Sequence, residues 1–217
     1  MSKSASPPLS KSSSPSSDSP SLRSASSLTK PLRVGFDLDG VLLYNPARLA
    51  RPLISVLKKK HIAIDRKELE FYVPKPGWEQ FFWELLHKSS IFIAPGFGRI
   101  KKLKDQGLIE PYLVTARFNH LKKDFDNWKK KMEADQLFEC CYLNEADEQP
   151  HLFKQRLIKE LGLNVFIEDN WDIVNYLHRQ CQQTDIFWIS NLVDRRLDYP
   201  NKFMSLKAAL DHLPQLG

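Results

Sequence analysis

The sequence lacks any run of apolar residues approaching the 18 or so that a membrane-spanning helix needs. It also lacks an apolar segment near the amino terminus of the kind found in secretory signals. Cysteine is scarce, since Cys140, Cys141 and Cys181 are the three in 217 residues. Their spacing suits neither a disulfide framework nor a zinc site, so we expect a reducing compartment such as the cytoplasm. From the lack of a long apolar run we expect no membrane segment.

A strong charge of one sign is also missing from the part of the chain that is expected to fold. The whole chain has 32 basic and 26 acidic residues, a net charge of +6. Residues 1–30 hold four of the basic residues and one acidic residue, which leaves 28 basic and 25 acidic residues in the remainder. Such a mild excess suits a phosphorylated small molecule and argues against nucleic acid, which needs clustered basic residues. The lysine-rich helix predicted at 121–132 is interpreted as a solvated face, with a phosphate-backbone groove as the alternative.

Residues 1–30 form a segment of their own. They contain fourteen serines, four prolines and no aromatic residue. A segment of this composition cannot bury enough apolar surface to offset its ordering entropy, so we predict a disordered tail. Its Ser-Pro pairs leave open a role as phosphorylation sites, and its serine content leaves open a transit peptide.

The rest of the chain is organised around residues 32–41, which read Leu-Arg-Val-Gly-Phe-Asp-Leu-Asp-Gly-Val. The apolar positions predict a short buried strand, and Asp37 and Asp39 fall where it ends. Ligands of open parallel sheets bind outside the carboxyl ends of the strands. Two carboxylates there can attack phosphorus, exchange a proton, or hold Mg²⁺. The alternative is an ordinary Asp-x-Asp-Gly turn that ends at Gly40.

Other predicted strands also end in polar residues. These are Thr115 after the strand at 110–114, and Glu168 and Asp169 after the strand at 165–167. Taken alone, Thr115 is a β-forming residue and Lys154, near the start of a helix at Pro150, is a surface residue. Arg117 is expected either to contact a phosphate or to face solvent.

Together these segments resemble the haloacid dehalogenase-like hydrolase superfamily. The motifs are Asp37-Leu38-Asp39-Gly40-Val41, the strand ending Leu113-Val114-Thr115-Ala116-Arg117, Lys154, and the strand ending Phe166-Ile167-Glu168-Asp169-Asn170. The resemblance covers residues 32–215, and within the superfamily the chain looks most like the 5′-nucleotidase-type phosphatases.

The resemblance implies a role for each motif. It makes Asp37 the nucleophile and Asp39 the acid and base. It assigns phosphate binding to Thr115, Ala116 and Lys154, and a Mg²⁺ site to Asp37, Asp39 (through its carbonyl) and Asp169. Glu168 and Asp172 remain open as further acidic partners of the metal.

The predicted fold is α/β, a Rossmann-like doubly wound parallel sheet of five strands. The core domain is expected to comprise residues 31–44 and 91–217, with a small helical cap inserted at 45–90 and a final helix at 202–213. The cap would cover the site. If an aromatic residue of the cap faces the substrate, Trp78 and Trp83 are the candidates, although an aromatic stripe more often packs in a core.

The function expected from this resemblance is a Mg²⁺-dependent phosphatase. Its substrate would be a small phosphomonoester, with a nucleotide as the candidate, and the reaction would pass through an aspartyl-phosphate. Two alternatives stay open: a phosphotransferase with an acceptor other than water, and an inactive binding or scaffolding module of the same fold.

Overall fold

The computed structural model describes residues 30–44, 70–71, 77–78, 92–191 and 196–213. The predicted tail at 1–30 therefore lies almost wholly outside the described residues, and so does most of the predicted cap at 45–90, including Trp83. Trp78 is described and is exposed. No helix in the described ranges is long and apolar enough to cross a membrane.

A six-stranded parallel sheet forms the centre of the fold. Its strands are β1 (Leu32–Phe36), β4 (Ile109–Phe118), β5 (Cys140–Asn144), β6 (Val165–Glu168), β7 (Asp185–Ile189) and β8 (Lys202–Phe203). Their order across the sheet is β5-β4-β1-β6-β7-β8. The chain builds outward from β1 through β4 to β5, and then returns to the other side of β1 to add β6 and β7. The strand order thus reverses at β1, which makes its carboxyl end the expected place for a ligand.

Helices cover both faces of this sheet. They are α1 (Phe97–Asp105), α2 (Lys122–Lys131), α3 (Ala134–Leu137), α4 (Pro150–Glu160), α5 (Trp171–Gln180) and α6 (Leu206–His212). The helices α1, α2, α3 and α6 share one apolar core, and α4 and α5 share the other. Alternate residues of a strand serve the two cores: Leu113 packs in the first, and Tyr112 and Val114 pack in the second. The doubly wound parallel class predicted from the sequence is confirmed.

Local sequence signals place the ends of several helices. Pro150 occupies the first turn of α4, where its missing N–H costs nothing. The Asn170 side chain accepts the N–H of Asp172 and caps α5, and Ser205 caps α6 through the N–H of Ala208. Gly107 follows α1 with a φ of 69°, a left-handed conformation that favours glycine.

The structure corrects the predicted elements in two places. The predicted final helix at 202–213 begins instead at Leu206, because Lys202 and Phe203 pair with Trp188 and Ile189 as a sixth strand. The strand predicted at 110–114 continues to Phe118, with a register shift against β5 between Thr115 and Phe118. Thr115, Ala116 and Arg117 therefore lie within β4 rather than after it.

The segment predicted as a cap leaves and rejoins the core at a pair of short antiparallel strands. They are β2 (Leu43–Tyr44) and β3 (Phe92–Ile93). Gly40 makes the turn that leads into β2, with a φ of 89° and its N–H donated to the carbonyl of Leu43 at 2.7 Å. The cap and its boundaries stay a prediction.

Candidate active site

Asp37 is the first residue after the central strand β1. Its backbone N–H donates to the carbonyl of Ile167 in β6 at 3.0 Å, which extends the sheet by one bond and fixes the carboxylate at the strand end. The residue is only 5 % exposed. A buried carboxylate is costly unless it is paired, so its neighbours decide what it can do.

Lys154 is the cationic neighbour of Asp37. It lies on α4 and is 2 % exposed. Its Nζ is 3.0 Å from Oδ1 of Asp37 and 2.5 Å from Oε2 of Glu168. Burial by itself lowers the pKa of the Lys154 ammonium, but the two carboxylates outweigh burial and raise that pKa. The lysine is thus held as a cation between two acidic groups, rather than lying on the surface as the residue alone would suggest.

Three carboxylates meet at this position. One oxygen each from Asp37, Glu168 and Asp169 lies within 4.8 Å of the others, and all three residues are buried. Burial, opposed by Lys154 and reinforced by Glu168 and Asp39, raises the pKa of Asp37 to about 7. With all three carboxylates ionised, the cluster and its one ammonium would have a net charge of −2, which a divalent cation would neutralise. A set of carboxylate oxygens suits Mg²⁺, so the residues present fit the metal that the fold resemblance implies.

Glu168 belongs to this cluster and Asp172 does not. The Oε1 of Glu168 also accepts the backbone N–H of Asn170 at 3.0 Å, which orients the side chain. Asp172 is exposed at the start of α5, where its own N–H is bound by Asn170. Of the two acidic partners that the sequence leaves open, the structure therefore places Glu168 beside Asp37.

Asp169 is held through its backbone. The indole Nε1 of Trp188, fully buried in β7, donates to the carbonyl of Asp169 at 3.1 Å. Trp171 packs against Trp188 with ring centroids 4.5 Å apart. Sequence reasoning missed this support, because no local pattern links a tryptophan of β7 to the residue that follows β6.

Asp39, two residues after Asp37, is bound by Arg117 of β4. The guanidinium Nε and Nη2 donate to its two carboxylate oxygens at 2.7 and 2.8 Å. The Nη1 of the same guanidinium donates to Asp124, in the first turn of α2, at 2.9 Å. Burial alone would lower the pKa of Arg117, but Asp39 and Asp124 raise it, so the side chain is a buried cation. Arg117 is therefore buried rather than facing solvent, and its bonds are made to carboxylates of the protein rather than to a phosphate.

Thr115 and Ala116 lie on β4, the strand next to β1. Thr115 is buried, and its hydroxyl oxygen accepts the backbone N–H of Arg117 at 3.3 Å. Ala116 is partly buried. The parallel register pairs Phe36, the last residue of β1, with Leu113 of β4. Thr115 and Ala116 therefore lie beyond the end of β1, on the side where Asp37 lies. Their role in phosphate binding stays a prediction.

No protein-family model matches the chain, and no curated protein matches its sequence. Solved structures do match its fold. A mutant of CbbY from Rhodobacter sphaeroides, in complex with xylulose-(1,5)bisphosphate, has a TM-score of 0.53 and 10% identity, covering 82% of this chain and 95% of that chain.

Two further solved structures match the fold, and the function of each is assigned only provisionally. One from Thermotoga maritima, assigned as a β-phosphoglucomutase, has a TM-score of 0.52 and 13% identity over 85% of this chain and 99% of that chain. One from Bacteroides fragilis, assigned as a haloacid dehalogenase-like hydrolase, has a TM-score of 0.51 and 14% identity over 82% and 99%. At these identities the likeness establishes a haloacid dehalogenase-like α/β fold and nothing finer.

Proposed function

We propose that the protein is a Mg²⁺-dependent phosphatase that hydrolyses a small phosphomonoester through an aspartyl-phosphate on Asp37. The observation that carries the proposal is the buried group at the end of β1, where Asp37 lies 3.0 Å from Lys154 and in one cluster with Glu168 and Asp169. The fold adds support, since the CbbY structure to which the chain is similar holds a phosphorylated sugar.

In the first step, an oxygen of Asp37 attacks phosphorus while the bond from phosphorus to the ester oxygen breaks. Asp39 gives its proton to that oxygen, which leaves as an alcohol. In the second step, Asp39 takes a proton from water as the water oxygen attacks phosphorus and the aspartyl-phosphate bond breaks. Asp37 is thereby regenerated, and Asp39 has its proton back.

The charges around Asp37 favour this chemistry. An anionic nucleophile and a phosphate dianion repel each other, and Lys154 offsets part of that repulsion through its contact with Asp37. Asp37, Glu168 and Asp169 would hold Mg²⁺, with the Asp39 carbonyl as a further predicted ligand. When bound, the ion supplies positive charge that keeps Asp37 ionised and screens it from the phosphate. Thr115 and Ala116 would bind phosphoryl oxygens.

The finer parts of the proposal concern substrate and setting. A nucleotide is the substrate class suggested by the likeness to 5′-nucleotidase-type phosphatases. We place the protein in the cytoplasm, in keeping with three cysteines that are all free thiols. A phosphotransferase with another acceptor is the second candidate, because a protein assigned as a phosphomutase shares the fold.

A panel assay tests the proposal. The purified chain is given nucleoside monophosphates and sugar phosphates, with Mg²⁺ or with EDTA, and free phosphate is measured. We expect Mg²⁺-dependent release that Asp37→Asn abolishes. Asp172→Asn is the matched control, since this exposed carboxylate lies outside the cluster and its loss should leave the rate unchanged. No release from any ester, or an Asp37→Asn variant within tenfold of the wild type, would contradict the proposal.

A further inference from the structure

Arg117 is bound to two carboxylates, Asp39 and Asp124, in a way that the reaction outlined above does not by itself require. Its side chain is 2% exposed, yet it carries a full positive charge. Its Nε, Nη1 and Nη2 all donate to carboxylates, two to Asp39 and one to Asp124. Three of the five N–H donors of the guanidinium are thereby committed to these two carboxylates.

The three residues come from three separate parts of the fold. Asp39 follows β1, Arg117 is near the end of β4, and Asp124 is in the first turn of α2. The bidentate bond fixes both the position and the plane of the Asp39 carboxylate, because a planar fork matches two carboxylate oxygens in one geometry. The third bond ties that fork to a helix. The chain thus orients the carboxylate after β1 from an element 78 residues away.

We infer that Arg117 is a positioning residue that sets the orientation of Asp39 for proton transfer to and from the substrate, with Asp124 as its anchor. The inference rests on the proposed function, in which Asp39 exchanges a proton with the leaving group. The pairing is compatible with that transfer, since a carboxylate offers about four lone-pair sites and the fork uses two of them. Arg117 itself takes no proton and touches no reacting atom.

The inference makes a prediction that depends on the leaving group. p-Nitrophenyl phosphate releases a weakly basic oxygen that needs little help from an acid, whereas phenyl phosphate releases a more basic one of nearly the same shape. A misplaced Asp39 should therefore slow the phenyl ester more. The measured quantity is kcat/KM, because it covers the steps up to the formation of the aspartyl-phosphate and excludes its hydrolysis.

The variant is Arg117→Lys, which keeps the charge but loses the fork. We expect kcat/KM for phenyl phosphate to fall by about 100-fold, the lower end of a general-acid contribution, and that for p-nitrophenyl phosphate to fall by less than about tenfold. Asp39→Asn should show the same selectivity, and the double variant should be no slower than Asp39→Asn alone, as for two residues that act as one unit. Asp124→Asn should also slow the phenyl ester more than the p-nitrophenyl ester, but with a smaller fall in kcat/KM. This variant provides the test if Arg117→Lys does not fold.

Arg33→Lys is the matched control. Arg33 forms an ion pair with Glu110 that also bridges β1 and β4, but at the opposite ends of those strands. It should slow both esters equally or not at all. Equal losses for the two esters in Arg117→Lys, or additive effects in the double variant, would overturn the inference while the phosphatase proposal stands. A parallel rise in the inhibition constant of inorganic phosphate would overturn it too, since Arg117 would then bind the phosphoryl group. If the wild type hydrolyses neither these two esters nor any ester of the panel above, the proposed function fails, and this inference falls with it.

Discussion

Replacing Asp37 by Asn should stabilise the metal-free protein, and the gain should depend on pH. Asp37 is buried among carboxylates, so its ionised form opposes folding when no metal is bound. Asn has nearly the same shape and carries no charge. The substitution therefore removes the cost of ionisation while leaving the packing at the end of β1 intact.

The size of the effect follows from the pKa. Burial raises the pKa of Asp37 from an ordinary 3.8 to about 7 in the folded protein. Because the folded state holds the proton more tightly, the contribution of this carboxyl to stability is fully present below pH 4 and is lost as pH rises through 7. Each unit of difference in pKa between the folded and unfolded states corresponds to about 1.4 kcal/mol, so the total loss in the free energy of unfolding is about 4 kcal/mol.

The assay is urea unfolding of the wild type and of Asp37→Asn in EDTA, at several pH values between 5 and 8.5. The difference in the free energy of unfolding should grow with pH and level off above about pH 7, with the variant more stable. Mg²⁺ should narrow this difference by binding the folded wild type, which gains about 2.7 kcal/mol at a concentration of 100 times the Kd.

The control is the same substitution two residues away. Asp39→Asn takes one anionic partner from the buried cation Arg117, so it should lower the free energy of unfolding in EDTA by about 1–3 kcal/mol. A pH-independent difference for Asp37→Asn, or a loss of stability in both variants, would refute the reasoning, because Asp37 would then be paired well enough to ionise freely.

Three further outcomes follow from the contacts of the site and the core. Lys154→Met should lower the free energy of unfolding in Mg²⁺ by about 3–5 kcal/mol and remove most activity, whereas Lys122→Met, at an exposed ion pair, should change both little. Gly35→Ala should cost about 1–3 kcal/mol in urea unfolding, because the added Cβ would lie 2.5 and 2.6 Å from buried side-chain atoms; Gly98→Ala, with nothing within 4 Å, should not destabilise. Asp169→Asn should raise the Mg²⁺ concentration for half-maximal activity at least about tenfold, and excess Mg²⁺ should partly restore the rate; an unchanged Mg²⁺ requirement would remove Asp169 from the proposed ligands.

The fold class could be predicted from the sequence because its signals are local. The strand around Val34 and Phe36 is apolar and short, and the helices begin at local signals such as Pro150 in the first turn of α4 and the N-cap Asn170 of α5. Alternation of such strands with helical segments leaves few arrangements besides a doubly wound parallel sheet. The strand β8 could not be predicted in this way, since its two residues are extended only because they pair with β7.

The site could be predicted in part, for a related reason. Carboxylates that directly follow a buried strand must lie at the edge of the sheet, and this places Asp37 and Asp169 without any knowledge of distant contacts. The surroundings of Lys154 and Arg117 are different. Each is bound to carboxylates from other elements, and a lysine on a helix or an arginine near a strand end has the same local sequence whether it is buried in an ion pair or exposed.

The burial of these charges itself argues for a function at the end of β1. Apolar residues of similar volume often stabilise a fold as well as a buried ion pair does, or better, so stability alone gives no reason to keep Asp37, Lys154 and Glu168 out of water. A nucleophile gains from such a place, because electrostatic interactions strengthen where water is excluded. The pH-dependent cost expected for metal-free Asp37 measures the stability that the fold gives up there, and a smaller cost in Mg²⁺ would show that a ligand recovers part of it.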